Sequence, residues 1–134
     1  EIKITNHSLF SVRLDPDLTV KCGGAMVNAE GKSGQNETHG AASPWMAAFG
    51  KRGDGKTEGL ALLQFPAIPG LPVRWETRDY GFLSPTPYQF PPDGKSVKYR
   101  KGDKIALRYR VLVFSGTAEE AGIAQAFEAY KASK

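Results

Sequence analysis

The chain has 134 residues, 40% of them hydrophobic and 24% charged, with a formal net charge of +4. That length fits one domain able to bury a core, and the balance excludes a disordered chain. The cations are scattered rather than striped, which argues against a nucleic-acid surface, and no apolar run approaches the roughly 18 residues of a membrane span.

The chain opens on Glu1-Ile2-Lys3-Ile4, without Met and without a signal peptide. Such a start suggests a processed, truncated or cleaved polypeptide. Residues 9–14 alternate, with Phe10, Val12 and Leu14 on one face, and predict a half-buried strand. Asp15-Pro16-Asp17 predicts a turn. Residues 18–21 predict a short strand, and Gly23-Gly24 a bulge or turn. Cys22 is the single cysteine, so no intrachain disulfide forms, and a buried or half-buried free thiol is expected.

Residues 28–43 form the longest irregular stretch, rich in Asn, Gly, Ser, Glu and Thr, and loops of that length often carry function. Gly31-Lys32-Ser33 matches only the tail of a phosphate-binding loop, because Met26 stands where the first glycine is needed. Residues 44–50 predict a strand and Gly53-Asp54-Gly55 a hairpin turn. Residues 59–65 are nearly all apolar, which predicts a strand covered on both faces. Pro66, Pro69 and Pro72 then break regular structure.

Residues 73–78 alternate again. Val73, Trp75 and Thr77 point one way; Arg74, Glu76 and Arg78 point the other. Strand or bend continues through residues 80–83. A second proline-rich loop follows, closed by Asp93-Gly94. Residues 97–100 and 104–114 predict a hairpin around Lys101-Gly102-Asp103, with Ile105, Leu107, Tyr109, Val111 and Val113 on one face. The last segment predicts the one convincing helix, capped by Thr117 with Glu120 three residues on. Ile123, Phe127 and Tyr130 follow at helical spacing. Seven or eight strands without alternating helices predict one mostly-β domain over residues 1–134. The expected architecture is an antiparallel β-sandwich, or half of a larger supersandwich, with one C-terminal helix.

Two histidines, His7 and His39, and dispersed carboxylates offer no metal-ligand spacing, so neither metal nor cofactor is expected. The most informative segment is residues 72–81. Arg74, Glu76 and Arg78 on one strand face form either an exposed ion-pair ladder or the floor of a polar cleft. In the cleft reading a carboxylate between two guanidinium groups stays ionised and accepts hydroxyls or acts as a base. Arg78 offers a fork of donors to a carboxylate or to vicinal hydroxyls. Asp79 falls on the opposite side unless a bulge turns it. His39 is the better placed of the two histidines. Trp45, Trp75, Tyr80, Tyr88 and Phe90 gather around this segment; most belong to the core, while the Tyr88-Gln89-Phe90 loop is the place for stacking on a sugar face.

From Glu58 onward the order of features resembles a bacterial family of uncharacterised proteins labelled methane oxygenase PmoA-like. The resemblance runs through Glu58-Gly59-Leu60-Ala61-Leu62-Leu63, Phe65-Pro66, Pro72 and Trp75-Glu76-Thr77-Arg78-Asp79-Tyr80-Gly81. It continues in Ser84-Pro85-Thr86-Pro87-Tyr88, Lys101-Gly102-Asp103, Leu107-Arg108-Tyr109-Arg110-Val111 and Ala129-Tyr130. Residues 24–50 match more weakly. The family's layout is similar to the large β-sandwich of sugar mutarotases, and its members are typically longer. The resemblance therefore implies a sugar-linked role, a periplasmic or secreted setting, and a second polypeptide supplying an N-terminal half. It carries Trp75, Arg78, Asp79 and Tyr80 over as candidates. Two departures stand out: the family usually has His at the position of Glu76, and an Asp-His-Pro-like triplet at Gln64-Phe65-Pro66.

These observations lead to one expectation and two alternatives. The expectation is a carbohydrate-processing enzyme, or part of one, acting on a glycoside or modified sugar. Glu76, Asp79 and His39 would then do the acid–base work, while Arg78, Trp75, Tyr80, Arg74 and Tyr88 hold the carbohydrate. The alternatives are a non-catalytic carbohydrate-binding module and a structural subunit whose sheet edge pairs with another chain.

Overall fold

The computed structural model describes residue 4 and residues 10–65, 73–91 and 94–133. His7, the prolines of 66–72 and Asp93 lie outside the described residues. Among the described residues, seven strands and two α-helices follow in the order β1 (Val12–Arg13), β2 (Ala25–Asn28), α1 (Gly34–Thr38), β3 (Trp45–Lys51), β4 (Thr57–Gln64), β5 (Trp75–Arg78), β6 (Phe82–Pro85), β7 (Tyr109–Ser115) and α2 (Ile123–Ala132). All strand pairs are antiparallel. One sheet has the order β1-β6-β5 and the other β2-β3-β4-β7. The fold is mostly β and sandwich-like, with a C-terminal helix.

Period-2 alternation in the larger sheet builds two cores. Met26, Met46, Ala48 and Leu62 face the smaller sheet and pack with Leu14, Trp75 and Leu83. Trp45, Ala47, Ala61 and Leu63 face the other way and pack under Ile123, Phe127 and Tyr130 of α2. The central strand β4 is therefore covered on both sides, which explains its near-continuous apolar run. The layers are α2, the four-stranded sheet, then the three-stranded sheet.

Several local expectations change. Only Val12–Arg13 form ladder pairs in the first alternating run, although Phe10, Val12 and Leu14 do share the inner face. Residues 18–21 are not a strand: two 3₁₀ turns, Pro16–Leu18 and Val20–Cys22, occupy that region. The Thr19 hydroxyl accepts from the Cys22 N–H at 3.2 Å, so local side-chain bonding displaces the extended form. Cys22 is a free thiol as expected, but it is exposed rather than buried. The hairpin around Gly102 does not form. The described residues between 97 and 108 lack a ladder, and the strand begins at Tyr109.

Thr117 and Glu120 do exchange the reciprocal bonds of a capping box, at 2.8 Å and 3.2 Å. They close a turn that precedes the helix, because Gly122 takes a left-handed conformation (φ 66°) and α2 starts after it. Glu120 is held below its ordinary pKa by the Thr117 N–H and hydroxyl. Its contribution to stability is thus present above the unfolded-state value and lost as pH falls through the folded one.

Candidate functional site

The site is built on β5 and the segment that runs beside it. Strand β5 pairs with β6 on one edge only. On the other edge residues 40–43 lie alongside it. The Gly40 N–H donates to Trp75 O at 2.7 Å, the Ser43 N–H donates to Val73 O at 2.9 Å, and Ala42 bridges Arg74. Trp75 pins the same segment from the core side, its Nε1–H donating to Ser43 O at 2.7 Å. Gly40 takes φ 74°, and a Cβ there would meet the Phe90 ring at 3.3 Å. The chain thus leaves α1 through His39 and turns tightly at a position that suits glycine.

A second set of bonds ties α1 to the strand. Thr38 Oγ1 donates to Gly34 O at 2.7 Å and lies 2.8 Å from Thr77 Oγ1, with both residues fully buried. One hydroxyl proton serves one acceptor, so Thr77 donates to Thr38. Thr38→Val strands the buried Thr77 donor and is expected to cost about 1–3 kcal/mol. Thr77→Val removes only one bond to Thr38 and is expected to cost less. Urea unfolding of the two variants checks the asymmetry.

The polar face of β5 carries Glu76 between two partners. Its side chain is 3% exposed, against 30% for Arg78 and 31% for His39. Glu76 Oε1 lies 2.6 Å from Arg78 Nη2, and Glu76 Oε2 lies 3.6 Å from His39 Nδ1. Oε2 is buried without a hydrogen-bond partner. Arg78 Nη1 donates to His39 Nδ1 at 3.0 Å and to Thr77 O at 3.3 Å. A guanidinium has donors only, so this contact makes Nδ1 an acceptor and places the ring proton on Nε2. Phe90 packs edge-on against the imidazole at a centroid distance of 5.4 Å.

The structure brings together three of the sequence-predicted residues: His39, Glu76 and Arg78. Arg74 is close by, but its Nη1 donates to Gly40 O at 2.7 Å, so it braces the loop. Asp79 lies beyond β5 at the turn into β6 and caps the start of α1. Its Oδ1 accepts from the Gln35 N–H at 2.9 Å, and its own N–H donates to Gln35 Oε1 at 3.1 Å. Trp75 is fully buried in the inter-sheet core, so its ring is not a sugar platform. Tyr88 is also buried, its hydroxyl 3.2 Å from that of Tyr99, and burial pushes its pKa well above the usual tyrosine value. Tyr80 alone of the predicted aromatic binders is well exposed, at 48%, with the Arg13 guanidinium 5.1 Å above its ring.

Sequence reading missed Gly40 and the Thr38–Thr77 pair. The His39-Gly40 dipeptide was the available signal, since a glycine beside a polar candidate often marks a tight approach. Among the described residues no group of three or more His, Cys, Asp or Glu side chains is placed to hold a metal ion. No helix among them is long and apolar enough to cross a membrane. A cavity of about 600 Å³ lies on the far face of the larger sheet, against the start of α2, lined in part by Val27, Trp45, Phe49 and Ile123. It belongs to a different layer from the Glu76 cluster.

A family model described as a family of unknown function, DUF6807, matches residues 1–128. No curated protein and no solved structure matches the chain.

Proposed function

We propose that this chain, which belongs to the DUF6807 family of unknown function, is a carbohydrate-acting enzyme or the part of one that carries the proton-transfer group. The observation that carries the reading is a nearly buried carboxylate, Glu76, lying behind two partly exposed side chains, the His39 imidazole and the Arg78 guanidinium. Burying a carboxylate is costly even when it is paired, and a neutral residue would pack a sheet face at lower cost. The sugar assignment rests on the resemblance of the Trp75–Gly81 run.

His39 has two alternatives for its ring proton. In the resting arrangement Nδ1 accepts from Arg78 and Nε2 carries the proton. A substrate hydroxyl or carboxylate that draws Arg78 away leaves Nδ1 facing Glu76 Oε2. The imidazole then donates to that carboxylate, and a bare Nε2 faces outward as a general base. Glu76 acts here as a positioning residue, Arg78 as the group that binds substrate oxygen, and His39 as the catalytic base.

The test pairs turnover with binding on a panel of oligosaccharides, followed by product chromatography and titration calorimetry. Glu76→Gln and His39→Asn are expected to lower turnover by about 100-fold or more while binding survives. Arg78→Lys is expected to weaken binding, because an ammonium cannot reproduce the guanidinium fork. Wild-type binding without turnover would instead favour a carbohydrate-binding module. The exposure of Tyr80 favours that second reading, and Tyr80→Ala would then be the variant that abolishes binding.

A further inference from the structure

Strand β7 ends the larger sheet, and among the described residues nothing pairs with its outer edge. Its hydrogen bonds identify which atoms that edge presents. The Phe65 N–H donates to Arg108 O, and the Gly116 N–H donates to Thr57 O. These mark the bonded pairs at the two ends of the β4–β7 ladder, whose register is one-to-one from Glu58↔Ser115 to Gln64↔Tyr109. Bonded pairs alternate along an antiparallel ladder. The even-numbered residues 108–116 therefore bond to β4. The N–H and C=O groups of Tyr109, Val111, Val113 and Ser115 point outward.

The same residues expose apolar side chains. Val113 is 82% exposed and Val111 is 42% exposed, on the face that the three-stranded sheet leaves uncovered at this edge. Natural edge strands are usually guarded by proline, by lysine or by a bulge. Residues 109–115 contain neither residue type and the register has no bulge. The one cation in the strand, Arg110, is turned to the helix side, with its guanidinium 4.4 Å from the Tyr130 ring centre.

Charge selects among occupants. Lys95, Lys98, Arg100, Lys101, Lys104, Arg108 and Arg110 fall within sixteen consecutive positions of the sequence, where Asp103 is the one acid. All seven are exposed. Of these, Arg108 and Arg110 sit at the start of β7, and residues 109–115 of a second copy contain no acid to meet them.

We propose that β7 is a strand-addition site for an acidic, extended polypeptide segment. Its apolar side chains lie over Val111 and Val113, and its carboxylates lie on the helix side near Arg110. Main-chain bonds to Val111 and Val113 supply affinity, and the alternation of valine and carboxylate supplies selectivity. This surface is separate from the Glu76 cluster, and its test does not depend on the carbohydrate reading.

The test uses the whole chain, isotopically labelled, with a short peptide alternating glutamate and valine as the probe. A peptide alternating lysine and valine is the control. Saturable binding of the acidic peptide is expected, with amide shifts and slowed hydrogen exchange at Val111 and Val113 and no response at His39. Val113→Lys is expected to weaken binding by about tenfold or more without unfolding, since the side chain it replaces already lies in solvent. Arg110→Glu should reverse the peptide preference. No binding of the acidic peptide, equal binding of both peptides, or a concentration-dependent dimer that protects the β7 amides in the absence of peptide would each overturn the proposal.

Discussion

Arg78→Met is expected to destabilise the chain by about 3–5 kcal/mol, because it leaves a nearly buried carboxylate without its cation. Glu76 Oε1 depends on Arg78 at 2.6 Å, and Oε2 has no hydrogen-bond partner to compensate. Glu76→Gln is expected to cost much less, since it removes the buried charge and keeps the shape. The double variant should recover most of the loss caused by Arg78→Met, a coupling that a double-mutant cycle in urea measures directly. If Arg78→Met and Glu76→Gln cost the same small amount, Glu76 is solvated in solution and the buried-carboxylate premise of the proposed site fails.

Trp75→Ala is expected to cost about 3–5 kcal/mol, the range for a large aromatic deleted from a packed core. Trp75 is fully buried among Leu14, Met46, Leu62 and Leu83. It also donates to Ser43 O, so its loss leaves that carbonyl unpaired and frees the segment that presents His39. Trp75→Phe keeps most of the apolar volume and should cost less. Its remaining effect should then appear in the packing of His39 against Phe90, read from their ring resonances. Thermal unfolding together with those spectra separates lost core from loosened site.

The alternation in residues 73–78 placed Glu76 and Arg78 on one face and Trp75 and Thr77 on the other. That followed from the pleat alone, whose period of two needs no tertiary information. The apolar run of β4 announced a strand buried on both faces for a similar reason. The alternation at the end of β7 was equally clear and its consequence was not. Val111 and Val113 share a face with Tyr109, yet both are exposed, because the smaller sheet does not extend far enough to cover them. Patterning says which residues lie together; it does not say whether another layer lies opposite.

Sequence by itself determined the mostly-β class, the terminal helix with its Ile123, Phe127 and Tyr130 stripe, and the polar face of β5. Each follows from local periodicity, from capping chemistry or from apolar content. Only the tertiary structure decided that His39, thirty-seven positions before Glu76, returns to that face. It did so through contacts distant in sequence: residues 40–43 lie beside β5, Asp79 holds α1, and Trp75 grips Ser43. Strand parity had already turned Trp75 away from Glu76; only the tertiary structure buried Tyr88 and tied Asp79 to α1, because core packing and turn geometry depend on what the rest of the chain brings alongside.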